Sequence, residues 1–519
     1  MSTTQQEIER KYEAVTADAV SPDLTGLTRL VADTEAETQN LDATYFDTAA
    51  GALARHRVVV RRRLGGHDEG WHIKFALGDG RQEVHFDLLK DAESMPAAVK
   101  NMLSGVTLGA SLEPVAKLST RRLRTLLRDG DGRAVAELCD DTVRAYDHAT
   151  GAERSWQEWE VELLVDDLGR KKQEKIFGDV ENVLEAAGAG PSTSVAKISR
   201  ALGQDRAFDE AAGIEAPERR QDDDEGPKLG SAQRLIARLI GEYLDDVPTL
   251  DLGVRAGVPD AVHQLRIRLR GIRSLLRGLR GVIDDDAERR LSEGLRSTGV
   301  NLGPARDLEV ARGILEGLYQ WDGLTTGTRQ EILEVLSEDE DAALRTARNR
   351  LSSPEHLDLM KDLRAFVLQP RLDEVASEWS QKKVSKAILE NLESRLHRRR
   401  SRVMDLDEPT IEEALEHVHD VRKAAKSLRY AVEALDAESA LPKKRADKAK
   451  KSAKRARSLQ SKLGRCLDLH AAHEWLSRAG RVFQRRELDR YGVGLLEGET
   501  MLRLRETLSQ GMDRIEKTD

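Results

Sequence analysis

The apolar residues change their period partway along the chain, and that change restricts the fold more than any other feature. From residue 5 to about 165, short runs alternate apolar and polar residues, the period of a half-buried strand: EIERKY, ATYFDT, LARHRVVVRRR, GWHIKFAL, RQEVHFDL, AELCDDTVRAY and WQEWEVELL. Glycine and aspartate clusters such as GGHDEG and GDG separate several of them, as hairpin turns require. Helical pieces are expected around residues 22–32, 95–103 and 171–187. From Ser231 to about Thr518 apolar residues recur instead at three and four, which predicts almost continuous helix. The stretch between, residues 201–228, ends in RRQDDDEGPK, has little apolar periodicity and reads as an acidic linker.

A chain of 519 residues is too long for one core, so at least two domains are expected. The net charge of −9 argues against bulk attraction to nucleic acid, yet an average of this kind hides local basic clefts. Cys139 and Cys466 are the only cysteines and stand too far apart for a metal-thiolate motif, and both read as isolated apolar thiols. No run approaches the roughly 18 apolar residues of a membrane span, and no signal-type stretch opens the chain. A cytoplasmic protein without a membrane partner is the expectation.

The run EIERKYE sends Glu7, Glu9 and Lys11 from one face of a strand, with Ile8, Arg10 and Tyr12 on the other. Charged alternation is also what the wet face of a surface strand shows. Other strands repeat it with large mixed charges, however: Arg61 and Arg63, Lys74, Arg81 and Glu83, then Glu158, Glu160 and Glu162. An antiparallel sheet closed on itself would collect these groups in a lumen, carboxylates towards one side and guanidinium and ammonium groups towards the other. Carboxylate oxygens suit divalent cations and the basic groups suit phosphate, so a linear phosphate chain with its metal would pair both sets.

The helical part carries an internal echo. VHQLRIRLRGIR at Val262 and VHDVRKAAKSLRY at Val418 are 156 positions apart, and LGPARD at Leu302 and LGRCLD at Leu463 are 161 apart. This near-constant offset predicts two related helical bundles. Arg266, Arg270, Arg273 and Arg277 share one helical face after His263, as Arg422, Lys426 and Arg429 do after His419, with Lys423 beside them. Lys451 and Arg455 add charge on a further helix. Such stripes are commonly solvated surface; two copies weaken that reading, and basic residues on successive turns repel unless an anion joins them, as a polymer with one charge per phosphate would. DNA competes for that role, but aromatic residues are only 4%, leaving little for base stacking, and no recognition-helix or zinc-ligand pattern occurs. Inorganic polyphosphate is the better match and nucleic acid is not expected.

The Glu7, Glu9, Lys11 pattern with the Arg61/Arg63 and Glu158/Glu160/Glu162 strands resembles the CYTH or triphosphate tunnel metalloenzyme family. The helical part resembles the CHAD domain, and the order is that of CYTH-CHAD proteins. The resemblance implies an α+β multidomain chain: a CYTH antiparallel β tunnel or barrel with flanking helices over residues 1–200, the linker at 201–228, and an all-α CHAD domain of two related halves over 229–512. It implies Glu7, Glu9, Lys11 and Lys74 as catalytic residues and Arg61, Arg63, Arg121, Arg122 and Lys197 as phosphate contacts. Glu7, Glu9, Asp140, Glu158 and Glu160 are implied as ligands of Mg2+ or Mn2+, with the choices between Arg121 and Arg122 and between Asp140 and Asp141 open. His85, where many family members continue an acidic alternation, and Trp156 and Trp159, one on each face of their strand, are departures. The implied activity is metal-dependent hydrolysis of inorganic triphosphate, with polyphosphate bound by the helical domain and association with polyphosphate granules. A polyphosphate-binding protein without turnover, a thiamine triphosphatase and an adenylate cyclase are the alternatives.

Overall fold

The computed structural model describes residues 2–14, 21–78, 80–88, 94–165, 167–194, 196–205, 208–210, 228–317, 324–441 and 443–516. These form two compact units, residues up to 210 and residues from 228 onward. Most of the expected linker lies outside the described residues, but Asp209, within its first part, belongs to the first unit through its ion pair with Arg154. No helix among the described residues is long and apolar enough to cross a membrane.

The first unit is built on an antiparallel sheet. Its strands are β1 (Ser2–Glu7), β2 (Glu9–Ala14), β3 (Val31–Ala32), β4 (Glu37–Asp47), β5 (Val58–Leu64), β6 (Gly70–Leu77), β7 (Gly80–Asp87), β8 (Glu113–Arg128), β9 (Ala134–Asp147), β10 (Glu153–Leu163) and β11 (Ala189–Pro191). The order is β1-β7-β6-β5-β4-β8-β9-β10-β2-β11, with β3 paired to β8. The run EIERKYE decides the topology. It is broken at Ile8, so that Glu7 ends β1 opposite Arg81 of β7, while Glu9 opens β2 opposite Glu162 of β10. One continuous segment thereby joins the two far sides of the sheet and closes it around a lumen, and the Ile8 carbonyl accepts the Leu163 N–H at 3.0 Å.

The outer face is covered rather than wet where β2, β8, β9 and β10 lie side by side. Tyr12, Leu127, Val135, Leu138, Trp159 and Val161 pack against Ile176, Phe177, Val180 and Leu184 of helix α3 (Arg170–Ala186). Arg10 lies 4.4 Å over the Phe177 ring and reaches Glu174 at 2.7 Å, so its charge stays solvated while its stem is buried. Two shorter helices, α1 (Ala52–Arg55) and α2 (Ala97–Thr107), precede α3, and α4 (Lys197–Ala201) follows it. At one end of the lumen Ala43, Tyr45, Ala116, Leu118, Val143 and Trp156 pack with Ala201 and Leu202, so that α4 closes that end.

The structure corrects three local expectations. Residues 22–32 form a single 3-10 turn, Leu24–Gly26, and the short β3, because the buried Asp179 carboxylate of α3 accepts the N–H groups of Thr28, Arg29 and Leu30 and holds them off a helical ladder. The start of the run LARHRVVVRRR is helical: Leu53 to Arg55 lie in α1, with the N–H groups of Leu53 and Ala54 donating to Asp47. The longest strand, β8, does not stand among the expected runs, because its consecutive basic residues break the simple alternation.

The second unit is helical: α5 (Ser231–Leu244), α6 (Val247–Ala256), α7 (Ala261–Gly278), α8 (Asp285–Asn301), α9 (Gly303–Gly317), α10 (Thr326–Leu351), α11 (Pro354–Leu368), α12 (Gln381–Met404), α13 (Ile411–Ala437), α14 (Lys443–Arg485) and α15 (Tyr491–Glu516). The two histidine-basic repeats fall on α7 and α13, and LGPARD and LGRCLD fall on α9 and α14 with the residues just before α9. The repeats do not make separate bodies. They pack as one unit in which α7 and α13 cross, with Ser274 Oγ 3.1 Å from Ser427 Oγ at the buried contact.

Candidate functional site

The acidic wall of the lumen follows from strand register. Glu9, Lys11 and Glu13 on β2 stand opposite Glu162, Glu160 and Glu158 on β10, which stand opposite Glu137, Cys139 and Asp141 on β9. Alternation turns all of them to one face. Oxygens of Asp141, Glu158 and Glu160 lie within 4.8 Å of one another. Lys197, delivered by α4, places its Nζ 3.0 Å from Asp141, 2.5 Å from Glu158 and 2.6 Å from Glu160. Arg122 on β8 grips Asp141 through Nε at 2.8 Å and Nη2 at 2.7 Å and also reaches Glu160 at 2.7 Å. Burial works to raise the Glu160 carboxyl, but Lys11, Lys197 and Arg122 outweigh it and hold Glu160 well below the carboxylate range. The same balance lowers Asp141, and the carboxylates raise Lys197.

Towards β1 the carboxylates are less well paired. Glu7 Oε1 accepts from Lys74 at 2.5 Å, whereas its buried Oε2 has no hydrogen-bond partner. Burial, with Glu9 and Glu83 nearby, raises Glu7 against the pull of Lys74. Glu162 is pushed up to about 8 by burial and by Glu7, so it keeps its proton at neutral pH. Glu9 pairs with Arg81 and, at 3.3 Å, with Lys11, which also bonds Glu160 and so links the two carboxylate groups.

The basic wall lies on β5, β6 and β8. Arg63 is pushed down to about 9 by burial and by repulsion from Arg61 and Arg122. The Nε atoms of Arg61 and Arg63 are buried without a partner. Lys74 bridges Glu7 and Glu83, the latter at 3.5 Å. His72, 1% exposed, spans Glu83 through Nδ1 at 2.7 Å and the Asp68 carbonyl through Nε2 at 2.9 Å. The carbonyl contact requires the proton on Nε2, and burial, with Arg61 and Arg63, pushes the ring down to about 3 against the pull of Glu83. Burial works to raise Glu83, but Lys74, His72 and Arg61 outweigh it and hold Glu83 below the usual carboxylate range.

In the helical unit Arg270, Arg273 and Arg277 of α7 face Arg422, Lys423 and Lys426 of α13, and no ion pair is formed by any of these six among the described residues. Arg273, Arg277, Arg422, Lys423 and Lys426 are instead weakened by burial and by neighbouring cations. Burial, Arg422 and Arg270 push Lys426 down to about 7; burial, Arg273 and Arg395 push Arg277 to about 10; and burial with Lys423 and Arg422 pushes His419 to about 4. Burial and Arg306 lower His263. Arg266 sits deeper, pushed to about 10 by burial and Arg270, and donates to the Gly299 carbonyl at 3.0 Å. Asp307 and Asp468, equivalent in the two repeats, are raised by burial despite these cations.

Family models match both units, a CYTH domain over residues 5–190 and a CHAD domain over 238–477. The chain has the CYTH-CHAD architecture. CYTH domains characterise enzymes that act on triphosphates with divalent metals, and CHAD domains are linked to polyphosphate binding in general. The chain is 29% identical over 533 aligned positions to the uncharacterized protein Rv2226 of Mycobacterium tuberculosis, covering 98% of this chain and 96% of that one. The CHAD domain from the plant Ricinus communis is 21% identical, with 58% of this chain and 97% of that chain covered and a TM-score of 0.42. The putative adenylyl cyclase HpAC1 from Hippeastrum, described as having a dominant triphosphatase activity, is 18% identical, with 38% of this chain and 96% of that chain covered and a TM-score of 0.23.

Within the first unit, Glu7, Glu9, Lys11, Arg61, Arg63, Lys74, Arg122, Glu158, Glu160 and Lys197 come together around the lumen. Two expected residues do not. Arg121 is exposed, because the alternation of β8 that turns Arg122 towards Asp141 turns its neighbour out. Asp140 likewise faces away, accepting from Gln157 Nε2 at 2.8 Å, and Asp141 takes the inner position. His85 stacks on His72 with ring centroids 4.9 Å apart, and Trp156 donates from Nε1 to Glu158 at 2.7 Å. Glu83, Glu137, Glu162 and His72 are lumen groups outside the expected site; the strand alternation that carries Lys74 and Glu160 carries them too. In the CHAD domain Arg429 is drawn aside, 3.5 Å from Glu433 and 4.6 Å over the Tyr430 ring. Lys451 and Arg455 are exposed on α14, and Arg455 lies nine residues, about half a turn out of phase, from Gly464, which faces Arg422.

Proposed function

We propose that the CYTH domain hydrolyses inorganic triphosphate to pyrophosphate and phosphate in the presence of Mg2+ or Mn2+, and that the CHAD domain holds inorganic polyphosphate. The observation that carries the first part is the opposition, inside one closed sheet, of Asp141, Glu158 and Glu160 to Arg61, Arg63 and Lys74. The donor set fits a hard divalent cation: the oxygens of Asp141, Glu158 and Glu160 cluster within 4.8 Å. In the second carboxylate group, towards β1, Glu7 holds a buried oxygen without a hydrogen-bond partner. When bound, such a cation supplies charge neutralisation on phosphate oxygens and lowers the cost of activating water.

The chain's own residues do the rest. Arg61, Arg63 and Arg122 receive the equatorial oxygens of the phosphate chain and align it along the lumen. Lys74, between Glu7 and Glu83, offsets charge on the bridging oxygen as the bond to the terminal phosphorus breaks and pyrophosphate leaves. Glu162 surrenders its proton when positive charge enters beside Glu7, so that the acidic wall gains charge only when it is matched. The end closed by α4 keeps water out from that side.

The six unpaired cations between α7 and α13 support the second part, since charges that repel one another in the empty groove are relieved by a polymer with one charge per phosphate. Association with polyphosphate granules follows from that binding. One observation favours the alternative of binding without turnover: the Lys197 ammonium already occupies the Asp141, Glu158 and Glu160 oxygens, where catalysis needs a metal. Phosphate release from triphosphate, thiamine triphosphate and ATP with Mg2+ or Mn2+ tests the hydrolase reading. The expectation is fastest release from triphosphate, lost in Glu9→Ala; no release from triphosphate, or equal release by both proteins, refutes it. Filter binding at matched salt is expected to favour polyphosphate over duplex DNA.

A further inference from the structure

The β5–β6 connection, Gly65 to Glu69, folds back over the basic wall. Its Asp68 carboxylate pairs with the Arg63 guanidinium, although the Asp68 side chain is 58% exposed and that of Arg63 only 6%. Arg63 meets no other carboxylate at ion-pair distance among the described residues. The tip carrying Asp68 is fastened from four directions. His72 Nε2 donates to the Asp68 carbonyl at 2.9 Å and His85 Nε2 to the Glu69 carbonyl at 3.2 Å. His67 Nε2 meets Glu37 of β4 at 2.8 Å, and the Gly65 N–H donates to Glu69 at 3.3 Å. Gly65 and Gly66 both have φ of +81°, and a Cβ on Gly65 would lie 2.2 Å from the Asn40 carbonyl oxygen, so only glycine lets the tip lie this close to β4.

An exposed carboxylate has thus been brought by a fastened hairpin to a buried guanidinium that two other guanidiniums repel. We propose that Asp68 is an internal competitor of the substrate: its carboxylate holds Arg63 while the lumen carries no anion, an incoming phosphate group displaces it, and Asp68 thereby sets the affinity of the tunnel for triphosphate. This rests on the triphosphate reading of the CYTH domain. The chemistry favours exchange in both directions. A carboxylate with one charge satisfies one guanidinium, whereas a phosphate group with more charge and three free oxygens answers Arg61, Arg63 and Arg122 together. Asp68, being mostly exposed, is rehydrated at little cost when it leaves. Without it, Arg63 would stand buried and unpaired whenever the site is empty.

The test is triphosphate binding by the full chain, measured calorimetrically in EDTA, together with steady-state kinetics in Mn2+. Asp68→Asn and Asp68→Ala are expected to bind triphosphate about three- to tenfold tighter, the range of a partly exposed ion pair, and to lower KM in proportion with kcat unchanged. Asp68→Glu keeps the wild-type affinity. Unchanged or weaker binding by both Asp68→Asn and Asp68→Ala, with wild-type binding intact, overturns the competitor and leaves the triphosphate reading standing. Absence by the wild type of both triphosphate binding in EDTA and triphosphate turnover in Mn2+ overturns both.

Discussion

Lys197→Met removes the ammonium at the centre of the acidic wall while keeping the length of its side chain. Three carboxylates then lose a partner at 2.5 to 3.0 Å, and Asp141 and Glu158 are almost fully buried. Arg122 still holds Asp141 and Glu160, and Lys11 still reaches Glu160, so the loss falls mainly on Glu158, left with Trp156 Nε1. Breaking a buried pair costs about 3–5 kcal/mol, and the surviving partners put this case at the lower end, about 3 kcal/mol. A divalent cation answers the same oxygens. At a hundred times its dissociation constant, a ligand of the native state restores about 2.7 kcal/mol, close to the whole loss. The variant in EDTA should therefore show faster hydrogen exchange along β9 and β10, by about a hundredfold where exchange requires opening of the wall, and saturating Mn2+ should return it to the wild-type rate. Direct titration should find Mn2+ bound more tightly by the variant, since no ammonium has to be displaced. If exchange in EDTA is unchanged, the Lys197 contacts are not stabilising; if exchange is faster but Mn2+ neither slows it nor binds more tightly, these oxygens are not a metal site.

Three further outcomes follow from other groups. Arg122→Ala should cost about 3 kcal/mol of stability and abolish phosphate release, while Arg121→Ala, exposed, should stay within about 0.5 kcal/mol and keep activity, a contrast that thermal unfolding and phosphate-release assays read together. Glu162 has its folded pKa raised to about 8 from the ordinary 4.5, so its contribution is fully present below pH 4.5 and is lost as pH rises towards 8; Glu162→Gln should flatten that decline by about 1–3 kcal/mol in urea unfolding without metal. Lys426, lowered to about 7 from 10.5, loses charge in the empty groove above neutrality, so polyphosphate affinity should fall between pH 6 and 8.5 more steeply in the wild type than in Lys426→Arg, whose charge persists; parallel slopes would remove Lys426 from the groove.

How much of this was legible in the sequence depended on whether a pattern or a phase was needed. Period two gave most of the strands, and the pairing of carboxylates on one with bases on another gave the lumen. Phase failed where like residues adjoin: Arg121 and Arg122, or Asp140 and Asp141, are equivalent in composition, and only the register of β8 against β9 decides which pair meets. His72 stands between Trp71 and Ile73, and no local pattern records its partners, which come from β7 and the Asp68 turn. The non-helical course of residues 22–32 depends on the Asp179 carboxylate, about 150 residues away, which no local propensity records. In the CHAD domain the stripes on α7 and α13 were visible as spacing. Helical phase alone did not tell which further cations join them, and Lys451 and Arg455 face away.

The join at Ile8 also dictates an order of assembly and a rule for sequence change. The strand nearest the start of the chain is the last to find both neighbours, since β1 needs β7 and β2 needs β10, and the ring cannot shut until Glu162 has been made and placed opposite Glu9. During synthesis the open edges of both halves wait for that moment, a window in which a holding chaperone would be useful. Length is fixed here as well. One residue inserted between Glu7 and Glu9 would exchange inside for outside along β2, presenting Arg10 and Tyr12 to the lumen and turning Glu9 and Lys11 against α3. Extensions ahead of Ser2 meet no such constraint, so homologous chains should vary in length before this segment and not within it.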